Sequence, residues 1–201
     1  MIWYIKTMND IKVIVARYKE DIAWTKHFSP QHIIIYNKGP DDINEYNPIK
    51  LPNVGREGHT YYKYIYDNYD NLSDYTIFVQ GYPFDHTKKI IEDIHHYLYK
   101  PDLKEGFLYL STVFAKFTFE KGCGYLATQH LNDTYEKIYG CKNTTGKQYR
   151  FGTGAQFMVS RETILKKPRE FYGNIANILS YSVNPIEGYG LERLHEIIFT
   201  E

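Results

Sequence analysis

Five stretches of the chain place side chains with useful chemistry next to a break in regular structure. Val15-Ala-Arg-Tyr-Lys-Glu-Asp21 sets Arg17, Tyr18 and the acidic pair Glu20 and Asp21 directly after a β-branched run. Tyr18 is placed to stack a flat base there, while Arg17 and the backbone at Ala16 can hold a ribose or diphosphate. An N-cap beside an aromatic plug is the plainer alternative. Leu51-Pro-Asn-Val-Gly-Arg-Glu-Gly-His59 brackets Arg56 and Glu57 between two glycines before a helix. Such a turn aims backbone N–H groups, a helix positive end and a guanidinium at one point, which suits a phosphate. The same residues equally make a capped turn with an Arg–Glu ion pair. Neither Gly-Lys-Ser/Thr nor the dinucleotide glycine spacing occurs in it.

Phe78-Val-Gln-Gly-Tyr-Pro-Phe-Asp-His86 stops a strand at Gln80-Gly81 and swerves through Pro83. Asp85 and His86 then stand at a strand end, where such a pair serves as acid and base or holds a metal. Asp85 equally caps the helix that follows. Gly152-Thr-Gly-Ala-Gln-Phe-Met-Val-Ser-Arg161 brings Gln156 and Arg161 to the two ends of a short strand, and its glycines let a ligand approach the backbone. Ser160 lacks a Gly-x-Ser-x-Gly elbow, so a serine nucleophile is not expected. Asn184-Pro-Ile-Glu-Gly-Tyr-Gly-Leu-Glu-Arg193 puts Glu187 in a turn before a helix, as a candidate general base. The eight histidines show no zinc spacing, and Cys123 and Cys141 have no Cys-x-x-Cys pattern.

The elements that must position these residues alternate between strand and helix. Residues 11–16, 32–36, 74–80, 107–110 and 155–160 read as strands, the first two as apolar runs buried on both faces. Ile22, Trp24 and Phe28 fall on a short helix started by Asp21 and stopped by Pro30. Asn37-Lys38-Gly39-Pro40 reads as a turn, and residues 41–54 as a loop. Helices are expected over 55–69, on a Tyr62, Ile65, Tyr66, Tyr69 stripe, and over 86–99, on Ile90, Ile91, Ile94 and Leu98. The stretch 111–150 reads as loops with a short helix at 133–139. Residues 161–181 are helical with a split at Pro168, and 187–199 form a helix with Leu191, Leu194, Ile197 and Ile198 inward. The pattern implies an α/β fold, three layers deep, with a mostly parallel central sheet. Ligands bind outside the carboxyl ends of strands in such sheets, which selects Ala16–Asp21, Tyr36–Gly39 and Gln80–His86.

Lys and Arg together number 24, as do Asp and Glu, so the chain has no basic face to neutralise nucleic acid or draw it to anionic lipid. No apolar run approaches the roughly 20 residues of a membrane span, and a secretory signal is not apparent. A cytoplasmic protein with free thiols is the expectation.

Taken in order over residues 11–199, the motifs resemble a glycosyltransferase-like family catalogued mainly as being of unknown function. Val-Ala-Arg-Tyr-Lys-Glu-Asp, Ile-Tyr-Asn-Lys-Gly and Leu-Pro-Asn-Val-Gly-Arg-Glu-Gly-His-Thr carry the first half of the likeness. Phe-Val-Gln-Gly-Tyr-Pro-Phe-Asp-His, Gly-Ala-Gln-Phe-Met-Val-Ser-Arg and Leu-Glu-Arg-Leu-His carry the rest. The resemblance implies a Rossmann-like nucleotide-diphospho-sugar transferase fold of the GT-A type in one domain, 1–201. Its nucleotide half covers about 1–110 and its acceptor half about 111–201. It implies a nucleotide-sugar donor held by Ala16, Arg17, Tyr18, Glu20, Asn37, Lys38, Arg56, Gln80 and Gly81. A glycan or glycoprotein acceptor is implied at Gln156, His86 and Arg161, with Glu187 or Asp85 as the base. Asp-x-Asp, the metal signature of such transferases, is absent, and Gln80 stands where its first Asp belongs. Arg56, Lys38 and Arg161 are then the cations expected to neutralise a diphosphate, and Mn or Mg is expected only through Asp85. The alternatives are an inactive nucleotide- or carbohydrate-binding domain on that scaffold, and a metal-dependent hydrolase using Asp85 and His86. For a two-part transferase 201 residues is short, which points to completion by a homodimer or a partner domain.

Overall fold

The computed structural model describes residues 10–100, 103–123 and 126–201. Residues 1–9 of the expected nucleotide half, and 124–125 of the middle stretch, lie outside the described residues. Strands β1 (Ile11–Arg17), β2 (Ile33–Asn37), β3 (Ile49–Lys50), β4 (Tyr75–Gln80), β5 (Phe107–Tyr109) and β8 (Phe157–Ser160) form one sheet in the order β3-β2-β1-β4-β8-β5. The first four are parallel; β8 runs against both β4 and β5. A second, two-stranded antiparallel sheet pairs β6 (Phe114–Phe117) with β7 (Tyr149–Gly152).

Period-two alternation sends β1 side chains to both faces. Ile14 and Ala16 join a core built with α1 (Arg56–Asp67), α3 (Thr128–Tyr139), α5 (Arg169–Leu179) and α6 (Ile186–Thr200). Val13 and Val15 join the opposite core, formed with α2 (Ile90–Tyr99) and the 3-10 turn Ala23–His27. Helices therefore cover both faces of a mostly parallel sheet, as the strand–helix alternation implies. Among the described residues no helix is long and apolar enough to cross a membrane.

Several local expectations change. α1 buries Tyr61, Tyr62, Tyr64 and Ile65 rather than a single stripe, because it is wedged between the sheet and α5. Tyr62 meets Tyr172 of α5 while Tyr61 meets Phe78 of β4. The loop over 41–54 holds a 3-10 turn and the edge strand β3. α3 begins at Thr128, not 133, its polar first turn held by packing of Leu131, Thr134 and Ile138. Pro168 does split the helical stretch, ending the short turn α4 (Arg161–Ile164) and capping α5. Cys123 and Cys141 are free thiols.

Candidate functional site

The order β2-β1-β4 means that the chain leaves β1 toward one side and later returns on its other side. At that switch point the two carboxyl ends open a crevice. A cavity of about 820 Å³ occupies it. Ala16, Arg17, Tyr18, Glu20 and Asp21 line it from the end of β1, and Lys38 from the end of β2. Asn53, Arg56 and Glu57 contribute from the start of α1, and Gln80, Tyr82 and Asp85 from the end of β4. Val183 and Asn184 close it from the loop before α6.

Not all of these groups are free to meet a ligand. Arg17 is buried and its guanidinium is spent internally, on the carbonyls of Glu20 and Tyr18, on Asn37 Oδ1 at 3.0 Å and on Asp41 Oδ2 at 3.0 Å. Asn37 is fully buried, and its amide spans Arg17, the Gly39 N–H and the Asp41 carbonyl. Both were expected to hold a donor; instead they lock the ends of β1 and β2. Glu20 accepts the N–H groups of Tyr18 at 2.6 Å and Lys19 at 3.1 Å, so its carboxylate shapes the strand end. Gly81 lies under Glu20, where a Cβ would meet Glu20 Oε2 at 2.7 Å, and its carbonyl takes the Trp24 indole N–H at 2.9 Å.

Lys38 donates to the carbonyls of Val54, at 2.6 Å, and Arg56. Burial lowers its pKa to about 8, against the opposing pull of Glu57. This ammonium braces a backbone in which Gly55 and Arg56 are both left-handed, φ 65° and 51°. The brace delivers Arg56 to the cavity mouth. Its guanidinium lies 4.5 Å from the Tyr189 ring centroid, and its Nε is 3.7 Å from Glu57 Oε2. Tyr18 and Tyr82 expose 40% and 48% of their surface beside the cavity, although Lys19 Nζ lies 5.3 Å from the Tyr18 ring centroid and Tyr82 packs edge-on against Phe84.

Besides Asn37 and Gly81, four more expected site residues do not line the cavity. Glu187 is buried at the start of α6, facing away, where it accepts from Lys137 and from the Tyr181 hydroxyl at 2.6 Å. Burial pushes its pKa up, but those hydrogen bonds outweigh it and hold the carboxyl below its ordinary range. A base must be open to the proton it takes, and Glu187 is not. Arg161 follows β8, which runs backwards, so it sits beside Asp74 at the amino end of β4, at the opposite sheet edge. It lines a separate hollow with Lys104 and Lys166 and cannot reach a diphosphate in the cavity. Gln156 is fully buried, its amide N–H donating to the Pro83 carbonyl at 2.9 Å. His86 pairs with Thr153 Oγ1 at 3.0 Å beneath Gly154, whose φ of 84° and contact with the imidazole leave no space for a Cβ.

Glu57 is the cavity residue that the sequence reading left as the partner of Arg56. Its side chain is 14% exposed and faces the cavity. Burial raises its pKa, opposed by Arg56, by a hydrogen bond from its own backbone N–H and by Lys38, and supported by the nearby Glu192. Among the described residues no other side chain hydrogen-bonds to its carboxylate; the Arg56 contact is an ion pair without a hydrogen bond. Its half-buried position in the first turn of α1 is the signal that amphipathic spacing does not carry.

A divalent ion needs several hard donors together. Among the described residues no three His, Cys, Asp or Glu side chains gather as a metal would require. The cavity carboxylates of Glu20 and Asp21 already accept backbone N–H groups. The donor set therefore does not fit Mn or Mg at Asp85.

Residues 13–108 match the model of a family described as a protein of unknown function (DUF3431). That span includes β1 from Val13 on, β2 through β4 and α1, hence every wall of the cavity except the loop at Val183 and Asn184. No curated protein and no solved structure matches the chain.

Proposed function

We propose that the chain is a GT-A-type glycosyltransferase that moves a sugar from a nucleotide-sugar donor to a glycan or protein acceptor. The observation that carries this reading is the cavity at the switch point between β1 and β4. It joins two exposed tyrosine rings to a guanidinium at the start of a helix. Its size suits a nucleotide-sized ligand, since small-molecule sites run about 300–1,000 Å³. Helices on both sheet faces and the 3-2-1-4 start of the strand order agree with a nucleotide-binding half over roughly the first 110 residues.

In this reading the base stacks on Tyr18 or Tyr82 and the diphosphate lies toward Arg56. The positive end of α1 adds to the guanidinium there. These two fixed charges take up the negative charge that develops on the departing phosphate oxygen, so no step is routed through a metal ion. Lys38 acts indirectly, by holding the left-handed Gly55–Arg56 pair in place. Asp85, exposed and lining the cavity, is the carboxylate assigned to the acceptor in this reading.

A thermal-shift screen against UDP-, GDP-, CMP- and dTDP-sugars, with and without manganese, tests the reading. One nucleotide is expected to raise the melting temperature by several degrees without manganese, and Arg56→Ala to lose most of that shift. No shift with any of the four overturns it. Binding with no release of nucleoside diphosphate would instead favour a binding domain on the same scaffold.

A further inference from the structure

Four carboxylates line the cavity, and only one has the surroundings of a proton acceptor. Glu20 is occupied by the N–H groups of Tyr18 and Lys19, and Asp21 Oδ1 by that of Ala23 at 2.8 Å. Both line the cavity, but these lone pairs stabilise backbone turns. Asp85 is exposed, so water rather than an apolar wall surrounds its carboxylate. Glu57 is largely buried, lines the cavity, and meets no hydrogen-bond donor from another side chain among the described residues. Arg56 touches it from one side at 3.7 Å, an ion pair that favours its charged form, and the hydrogen bond it accepts comes from its own backbone N–H.

Two further groups stand near this carboxylate. Tyr61, one helical turn on, has a fully buried hydroxyl with no hydrogen-bond partner. Its ring packs on Phe78 and Phe157, 5.0 and 5.8 Å away, so it closes the apolar ground behind Glu57. Glu192 is near enough to raise the proton affinity of Glu57, yet is itself tied to the Gly154 N–H at 2.7 Å and to Arg193 at 2.9 Å. A carboxylate in apolar surroundings beside a second negative charge is a stronger base than one in water.

We propose that Glu57 is the proton acceptor of the transfer step, taking the proton from the incoming hydroxyl. The proposal rests on the glycosyltransferase reading of the same cavity. In the step, the hydroxyl O–H bond breaks and its proton passes to a Glu57 carboxylate oxygen. The hydroxyl oxygen bonds to the anomeric carbon of the donor sugar. The bond from that carbon to the phosphate oxygen breaks, and its electron pair leaves with the nucleoside diphosphate, facing Arg56. Glu57 then returns its proton to solvent through the cavity mouth. With water as the hydroxyl, the products are free sugar and nucleoside diphosphate.

The test measures release of the nucleotide, UDP, GDP or dTDP from the diphospho-sugars and CMP from the CMP-sugar, with water as acceptor. Wild type, Glu57→Gln and Glu57→Asp are compared across pH 4–9, and donor binding is titrated in parallel. Glu57→Gln is expected to bind donor within about threefold of wild type while release falls at least 100-fold, the usual scale for losing a general base. The wild-type rate is expected to fall on the acid side at a pH above the ordinary carboxylate range, and Glu57→Asp to move that limb. If Glu57→Gln does not fold, Glu57→Ala is used, and added formate is expected to restore release. Donor binding with undiminished release in Glu57→Gln, or with no formate rescue in Glu57→Ala, overturns the proposal and leaves the transferase reading standing. A wild type that binds none of the four donors overturns both.

Discussion

Gly81 and Glu20 meet across the seam between β4 and β1 so closely that a methyl group on Gly81 would lie 2.7 Å from Glu20 Oε2 and 3.1 Å from its Cβ. The same Glu20 oxygen accepts the Tyr18 and Lys19 N–H groups, so the contact fixes the turn that presents Tyr18. A cavity wall made by backbone against side chain leaves no slack for extra volume.

Gly81→Ala is therefore expected to push Glu20 off its two N–H donors and to unseat Tyr18. Overpacking of this kind costs about 1–3 kcal/mol. Chemical denaturation should show that loss of stability. Nucleotide affinity should fall further than in Tyr18→Ala, because the turn moves as well as the ring. A variant as stable as wild type would show that the seam is looser than it stands here.

Glu187→Gln separates a structural carboxylate from a catalytic one. Glu187 is the buried partner of Lys137 and Tyr181, and hydrogen bonds to charged groups are worth about 1.5–3 kcal/mol. The variant is expected to lose about 1–3 kcal/mol in urea denaturation, with donor turnover per folded molecule unchanged. Turnover abolished in a stable variant would restore Glu187 to the site.

Lys38 makes stability depend on pH in a defined direction. Its folded pKa is about 8, whereas an unfolded lysine keeps its proton to about 10.4. Between those values the unfolded chain binds more protons, so stability rises with pH through the window. Relative to Lys38→Met, wild type is expected to gain about 2 kcal/mol between pH 7 and 9.5, a difference in which the tyrosines common to both proteins cancel. Denaturant unfolding of both proteins at the two pH values measures this; parallel curves would mean that Lys38 is solvated.

Much of this arrangement is legible in the sequence. The β-branched runs of β1, β2 and β4 mark buried strands, and the strand-end rule leads from them to Ala16, Tyr18, Lys38, Gln80 and Asp85. What fails is direction and aim. Phe157-Met-Val-Ser160 reads as a strand, but nothing local says that it runs backwards, and that reversal sends Arg161 to the wrong edge. Glu187 stands in the first turn of α6, and its facing cation, Lys137, comes from a helix 50 residues earlier. The β6–β7 pair escapes notice because Phe117 finds Tyr149 across a long intervening segment. Burial of Glu57 depends on α5 and α6 packing over α1, a tertiary fact with no local pattern.

A crystal structure of the chain soaked with the nucleoside diphosphate found by the thermal-shift screen tests the central claim most directly. The base is expected against Tyr18 or Tyr82, and the β-phosphate within hydrogen-bond distance of Arg56 and the first turn of α1. A nucleotide bound elsewhere, as in the hollow beside Arg161, or phosphates directed away from Arg56, would contradict it.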